Sequence, residues 1–251
     1  MANEGRVPVW LYRLRRMFRT RFLRFDGFSL LGYGQGIPKG MVHALARGDY
    51  ENPERRAVKA ILRPGDRVLD IGACMGVVSL TAARIVGAEN VVAFEPNPEA
   101  AAVARANFER NGLPVRLVEK AVGAAAGQVR LAIGRDNWLG GSLTLSYEDG
   151  SNVAVDVVPV AELVETFRPT VLIMDAEGFE SEILPACPLE RLRAVVVEFH
   201  MYPLGVERVA ALRRLLESAG FGAKPDRDRS SRASSTRAWA SRFLHSFATE
   251  A

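Results

Sequence analysis

Short unbroken apolar runs alternate along this chain with longer segments in which apolar residues recur every three or four positions. That alternation predicts a parallel sheet with helices on both faces, an α/β class of Rossmann-like type. Strands are expected at 68–71, 91–94, 115–118, 171–174 and 194–197. Helices are expected at 54–62, 77–86, 99–111, 159–167, 180–184 and 206–219. The alternation fails between 124 and 158, where 129–133, 142–145 and 153–157 read as strands with no helix between them. Such a stretch is an insertion or flap of the kind that holds substrate. Trp138 within it either walls a pocket or anchors a hairpin.

The two ends follow other patterns. Residues 9–25 place Trp10, Leu14, Met17, Phe18, Phe22 and Phe25 near helical spacing, with six arginines between them. This basic amphipathic segment either docks its apolar stripe on the protein or a dimer partner, or lies on an anionic membrane or nucleic acid. Residues 25–48 are glycine-rich and read as short strands and loops. Beyond Gly222, residues 224–237 are charged and serine-rich without an apolar pattern and read as a flexible linker. A weak helical stripe returns at 238–247 through Trp239, Phe243 and Phe247. The resulting division is a basic N-terminal extension and cover at 1–47, a main domain at 48–222 and a flexible basic tail with a short helix at 223–251.

Residues 67–76, Arg-Val-Leu-Asp-Ile-Gly-Ala-Cys-Met-Gly, form the centre of the main domain: a buried strand, a glycine-bracketed turn and a helix start. Ligands of open α/β sheets bind there, beyond the carboxyl ends of the strands. Glu95, at the end of the next strand, lies 23 residues after Gly72, near the spacing at which an acid meets a ribose diol. Cys74 stands where a dinucleotide fingerprint needs a second glycine to admit a pyrophosphate. The cradle therefore suits a ligand with a ribose but no pyrophosphate, and S-adenosylmethionine is the common one. Asp70, Gly72, Ala73, Cys74, Gly76, Glu95, Pro96 and Asp175 are the candidate cofactor residues, with Glu119 and Ala121 at the adenine edge. Tyr50, Glu51 and Glu54 either cover that ligand or make an ordinary helix start with acids in its first turn. Asp175, Glu177, Glu198 and His200 end two successive strands and face the same crevice by topology.

Composition narrows the setting. A 251-residue chain with 48% hydrophobic content supports one sizeable core. Two cysteines, Cys74 and Cys187, give neither a disulfide framework nor zinc spacing. With no secretory leader and no membrane-length apolar run, the expectation is a soluble cytoplasmic protein, peripheral to a membrane if 9–25 binds one. Residues 1–25 hold seven arginines against one acid, and 224–251 hold six basic residues against three acids. The formal charge of +4 thus leaves −5 for the segment between. An acidic body speaks against a polyanion gripped across the site.

Several stretches together resemble the FkbM-type family of S-adenosylmethionine-dependent methyltransferases. They are the 68–76 strand and loop, Ala-Phe-Glu-Pro-Asn-Pro at 93–98, Ala-Val-Gly at 121–123, Ile-Met-Asp-Ala-Glu-Gly-Phe-Glu at 173–180 and Val-Glu-Phe-His at 197–200. The resemblance, over about 48–221, implies a class I methyltransferase sheet with a reversed final hairpin. It further implies oxygen methylation of a sugar, glycolipid or polyketide-like hydroxyl. Asp70, Gly72 and Glu95 fall on the family's cofactor positions, and Asp175 and Glu177 on its D-x-E-G motif near the methyl acceptor. The chain departs from the family at Cys74, where members often carry Asn, and after Phe221, where no final hairpin is evident.

Methyl transfer needs the acceptor oxygen, methyl and sulfur aligned, and a base for the hydroxyl proton. His200 is the favoured base, with Asp175 and Glu177 as alternatives. A divalent cation held by Asp175 with Glu177 or Glu198 would serve the same end, and the sequence assigns none. The partner expected is a hydroxylated small molecule, with oligomeric state open. Two rival readings are a nucleic-acid methyltransferase with an arginine-rich arm, and a non-catalytic membrane-surface or partner-binding protein on the same fold.

Overall fold

The computed structural model describes residues 7–134, 137–142, 151–223 and 238–243. Helix α1 (Val9–Phe18) ends well inside the 9–25 span that its apolar spacing predicted. Phe22 and Phe25 belong instead to a hairpin, β1 (Phe22–Phe25) with β2 (Phe28–Leu31). Asp26 and Gly27 between them both take positive φ, 49° and 79°, the two-residue turn that Asp-Gly specifies between apolar strands. This local signal overrides the weaker helical period. Helix α2 (Lys39–Arg47) then forms where loops were expected, burying Met41, Val42, Leu45 and Ala46 on one face. Helix α3 (Asn52–Ile61) follows, with Pro53 in its first turn.

The predicted alternation then sets in: β3 (Val68–Ile71), α4 (Val77–Val86), β4 (Val91–Phe94), α5 (Pro98–Arg110) and β5 (Arg116–Val118). The irregular stretch is a four-stranded sheet of its own: β6 (Ala121–Gly123), β7 (Gly127–Gly134), β8 (Asn137–Ser142) and β9 (Ser151–Pro159), ordered β6-β9-β7-β8. Strand β8 ends at Ser142 and carries the backbone of Trp138, while the rest of the strand predicted at 142–145 lies outside the described residues. Alternation resumes with α6 (Val160–Phe167), β10 (Val171–Met174), α7 (Glu180–Ala186), β11 (Ala194–Phe199) and α8 (Met201–Ser218), the last broken at Gly205. Two strands close the order, β12 (Gly222–Ala223) and β13 (Ala238–Phe243).

Among the described residues the main sheet has seven strands in the order β12-β13-β11-β10-β3-β4-β5, every pairing parallel. Two expectations are corrected here. The helical stripe at 238–247 is strand β13 over Ala238–Phe243, parallel to β11. Aromatic residues four apart satisfy a helical and a two-residue period alike, and the free edge of β11 decides between them. The final pairing is also parallel, not the reversed hairpin that the family resemblance implies. The linker reading at 224–237 and the remainder of the tail lie outside the described residues.

Strand alternation sorts the core into two layers. Val68, Val171, Ile173, Ala194 and Val196 face the layer of α2 to α5, while Leu69, Leu172, Met174, Val195 and Val197 face α6, α7 and α8. Leu23, Phe25, Phe28 and Leu30 of the hairpin belong to the first of these layers. The N-terminal segment placed at 1–47 as an extension is thus, from the hairpin on, part of the same core. Asn107 of α5 fastens it, accepting from the Leu31 amide at 2.8 Å and donating to the Met75 carbonyl at 3.0 Å. One buried side chain so ties the hairpin to the loop after β3.

Candidate functional site

Strand order reverses between β3 and β10, so the chain leaves their carboxyl ends in opposite directions and opens a crevice there. The loop after β3 is shaped by its neighbours. The amides of Gly72 and Ala73 both donate to the Phe94 carbonyl, at 2.9 and 3.0 Å, and the Asp175 amide donates to the Ile71 carbonyl at 2.9 Å. Gly72 has φ +85°, and a Cβ there would lie 1.8 Å from the Asp175 carbonyl oxygen. A Cβ on Gly76 would lie 2.5 Å from the Phe108 ring. Both glycines are therefore demanded by close packing within the protein as well as by any ligand.

The strand ends line a cleft that is open to solvent. Gly72, Cys74, Glu95, Pro96, Ala121, Asp175 and Glu177 of the sequence candidates line it. Four of the cofactor candidates stand elsewhere. Asp70 is buried with its Oδ2 accepting from Ser79 Oγ at 2.5 Å, which braces β3 against α4. Ala73 and Gly76 are buried in the turn, outside the cleft lining. Glu119 is exposed and ion-paired with Arg105, turned away from the adenine edge expected for it. Lys120 and Ala121 line the cleft instead, because the chain bends at 119–120, between β5 and β6, and breaks the alternation of a continuous strand.

Glu95 is the best-fixed acid of the cleft. Its Oε2 accepts from the Cys74 amide at 2.7 Å and its Oε1 from the Asn97 amide at 2.8 Å. Burial raises its carboxyl to about 7, against the pull of those two amides. Asn97 caps α5 by accepting from the Glu99 amide at 3.0 Å, and its buried Nδ2 has no hydrogen-bond partner among the described residues. Asn97 was not foreseen as a wall of the cleft, although Asn-Pro after a strand is a legible helix start. Leu131 of β7 also lines the cleft and had no local signal, because only the docking of the small sheet brings it there.

His200, on the residue after β11, gathers three carboxylates. Nδ1 lies 2.9 Å from Glu180 Oε1, and Nε2 lies 3.2 Å from Glu177 Oε2 and 3.4 Å from Asp175 Oδ1. Glu180 is fully buried at the start of α7, a position no sequence reading singled out. Burial alone would lower the imidazole, but the bond to Glu180 and the surrounding charges raise it to about 10. Glu177, in the left-handed region at φ 48°, rises to about 8 through burial and the neighbouring acids, with His200 opposing. Glu198 is buried on β11.

The segment before α3 packs against the loop after β3. Tyr50 is buried and donates to Cys74 Sγ at 3.5 Å. Burial lifts the Glu51 carboxyl well above its usual range against the hydrogen bond of Tyr50, and Glu54, Asp175 and Asp70 add to the lift. Asp70 itself is raised to about 7 by burial, opposed by Ser79 and reinforced by Asp175. The crevice thus concentrates acids that favour a cationic occupant over a polyanion.

A family model described as "Methyltransferase FkbM domain" matches residues 70–222. A ribosomal protein L11 methyltransferase of Thermus thermophilus is 37% identical over 92 residues, 36% of this chain and 34% of that protein. Its counterpart in Pelotomaculum thermopropionicum is 45% identical over 58 residues, 23% of this chain and 18% of that protein. The chain therefore spans about a third or less of the length of these curated relatives. Among solved structures, a precorrin-6y C5,15-methyltransferase of Geobacter metallireducens aligns with a TM-score of 0.43 and 17% identity, covering 73% of this chain and 76% of that one. An O-methyltransferase of Thermotoga maritima aligns at 0.38 and 17%, covering 84% and 56%.

Proposed function

The chain belongs to the FkbM family of S-adenosylmethionine-dependent methyltransferases, and on that premise we propose that it methylates a hydroxyl oxygen of a small molecule such as a sugar, glycolipid or polyketide-like compound. The observation that carries this reading is the group of Asp175, Glu177 and His200 at the cleft, beside Glu95. The residues present fit the cofactor. Glu95 keeps lone pairs for a ribose diol after accepting its two amides, and Asn97 Nδ2 offers a buried donor without a partner among the described residues. Phe94, Ala100, Leu131 and Phe179 give the cleft apolar walls, and its acids suit a sulfonium charge. When bound, S-adenosylmethionine supplies an electrophilic methyl group.

In this reading the acceptor oxygen bonds to the methyl carbon as the carbon–sulfur bond breaks, and the hydroxyl proton leaves to the protein. His200, favoured as base from sequence, is held as an imidazolium at neutral pH by three carboxylates and has no free position for that proton. Asp175 and Glu177 are the acceptors at this end of the cleft, Glu177 only once it is ionised, since burial and the neighbouring acids raise it to about 8. His200 is then a positioning residue that holds them in place.

The test is transfer of labelled methyl from S-adenosylmethionine to a panel of hydroxylated small molecules and, separately, to ribosomal protein fractions. The expected product is a base-stable methyl ether. Label confined to protein amines would overturn the acceptor class and point to the substrate in the relatives' name. Asp175→Asn should lower turnover about 100-fold or more while cofactor affinity changes far less.

The exposed face of α1 supports a place for this chemistry at an anionic membrane surface. No described helix is long and apolar enough to cross a membrane. Helix α1 rests on the body through Arg15, which donates to the carbonyls of Ala46 and Arg24 at 3.0 and 2.8 Å. Trp10, Leu14, Met17 and Phe18 share the opposite face, and Trp10, Met17 and Phe18 are 63%, 66% and 67% exposed. Of the docking sites expected for the stripe, the domain itself leaves these side chains uncovered, and Arg13, Arg16 and Arg19 lie exposed beside them. Trp10→Glu with Phe18→Glu should cut co-sedimentation with phosphatidylserine vesicles about tenfold or more and leave the melting temperature unchanged. Equal binding by the variant would remove the surface role.

A further inference from the structure

The contacts of His200 pose a problem that hydrogen bonding alone does not solve. With Nδ1 fixed on Glu180 at 2.9 Å, Nε2 points between Glu177 Oε2 at 3.2 Å and Asp175 Oδ1 at 3.4 Å. A charge-assisted bond from an imidazolium to a carboxylate settles at about 2.7–2.9 Å. Both Nε2 distances are longer, so the one Nε2 proton is at most shared between the two oxygens in a weak three-centre bond. Ligands at right angles around a divalent ion, each at about 2.1–2.4 Å, stand about 3.0–3.4 Å from one another. The two observed separations match that spacing, and one atom from each of the three side chains lies within 4.8 Å of the others.

We propose that Asp175, Glu177 and His200 bind a divalent cation at the floor of the cleft, coordinated by Asp175 Oδ1, Glu177 Oε2 and His200 Nε2. The surroundings are built for it. Glu180 accepts the Nδ1 proton, which leaves the Nε2 lone pair for a metal and fixes the ring, as a carboxylate behind a ligating histidine does elsewhere. Glu177 takes a left-handed backbone, φ 48°, that a non-glycine residue seldom adopts, and so turns its carboxylate toward the same point as Asp175. Two carboxylates and one imidazole with room for further oxygen ligands suit manganese or magnesium better than thiolate-seeking metals. The site opens on the cleft, since Asp175 and Glu177 both line it. A cation there would displace the proton from Nε2 and offset the surrounding acids. It would also lower the pKa of an acceptor hydroxyl beside it, so that less is asked of a carboxylate base.

The test uses the full-length chain after chelator treatment, titrated with manganese(II) and followed by the EPR signal of the free ion. One manganese per chain is expected, displaced by excess magnesium. Pulsed EPR of the bound ion should show a nitrogen coupling that His200→Gln removes, and Glu177→Gln should weaken binding about tenfold or more. S-adenosylmethionine titrated into the same samples reports whether the cleft is intact, so loss of the metal site is distinguished from loss of fold or of the cofactor reading. Failure of the folded wild-type chain to retain manganese at millimolar concentration would overturn the proposal. So would binding that neither variant weakens.

Discussion

Replacing Glu95 by alanine is expected to weaken S-adenosylmethionine binding about 100-fold or more, the loss of two charge-assisted hydrogen bonds to a ribose diol. Isothermal titration calorimetry of wild type and variant would measure it. Glu95 has a second job that the control must separate, since its carboxylate also accepts the amides of Cys74 and Asn97. Alanine leaves both amides without their acceptor and disturbs the loop itself. Glu95→Gln keeps one carbonyl oxygen and should recover part of the stability without the affinity. A Glu95→Ala protein that binds the cofactor as tightly as wild type would take the ribose away from this residue.

The same group makes a pH prediction. The Glu95 carboxyl lies at about 7 in the folded chain, against 4.5 ordinarily, and Asp70 lies at about 7 against 3.8. Between the ordinary and folded values the folded state holds more protons than the unfolded one, so stability falls as pH rises through that window. His200 runs the same way. Its folded value of about 10 against 6.5 contributes stability that is complete below 6.5 and lost as pH climbs toward 10. The ligand-free protein should therefore melt higher at a pH near 5.5 than near 8. Cofactor affinity should move oppositely, tightening as Glu95 ionises. A melting temperature that rises from the acid to the neutral side would contradict this account of the buried acids.

Gly72→Ala is the second large effect, with an expected cost on the order of 4 kcal/mol or more. Two sources add there, the positive φ of +85° and a methyl group placed 1.8 Å from the Asp175 carbonyl oxygen. Relief requires the β3 and β10 loops to separate, which takes Asp175 out of the cleft. Gly65→Ala is the matching control, with φ +88° and no atom within 4 Å of the added carbon. It should lose only about 1–2 kcal/mol, the strain of a left-handed residue with a side chain. Denaturant unfolding of the two variants measures the difference. Equal losses would mean that backbone strain, and not the closeness of the two loops, is why residue 72 is a glycine.

Much of this molecule was legible from local pattern. Strands such as 68–71, 91–94 and 171–174 are buried on both faces, so they appear as unbroken apolar runs, and their helices carry apolar residues at helical spacing. That alternation alone places Gly72, Glu95, Asp175 and His200 at one end of a parallel sheet, because each terminates a strand. The hairpin turn at Asp26 and Gly27 was equally local, but it was hidden under an arginine-rich stripe whose spacing also fits a helix. At 238–243 the aromatic spacing fits helix and strand alike, and only the free edge of β11 makes it a strand.

The chemistry of the strand ends was decided by tertiary structure. Sequence order tells which residue ends a strand but not which way its side chain turns. Hence Asp70 faces α4 and holds Ser79, and Glu119 faces solvent with Arg105, while Lys120 and Leu131 come to the cleft. The role of His200 changed for the same reason. As a residue type it is a base near neutrality, and only the convergence of Asp175, Glu177 and the buried Glu180 makes it an imidazolium or, with a cation in place, a ligand. Charge and proton affinity here depend on two segments brought together, 175–180 and His200, and their distances are set by packing, which local spacing in the chain does not encode.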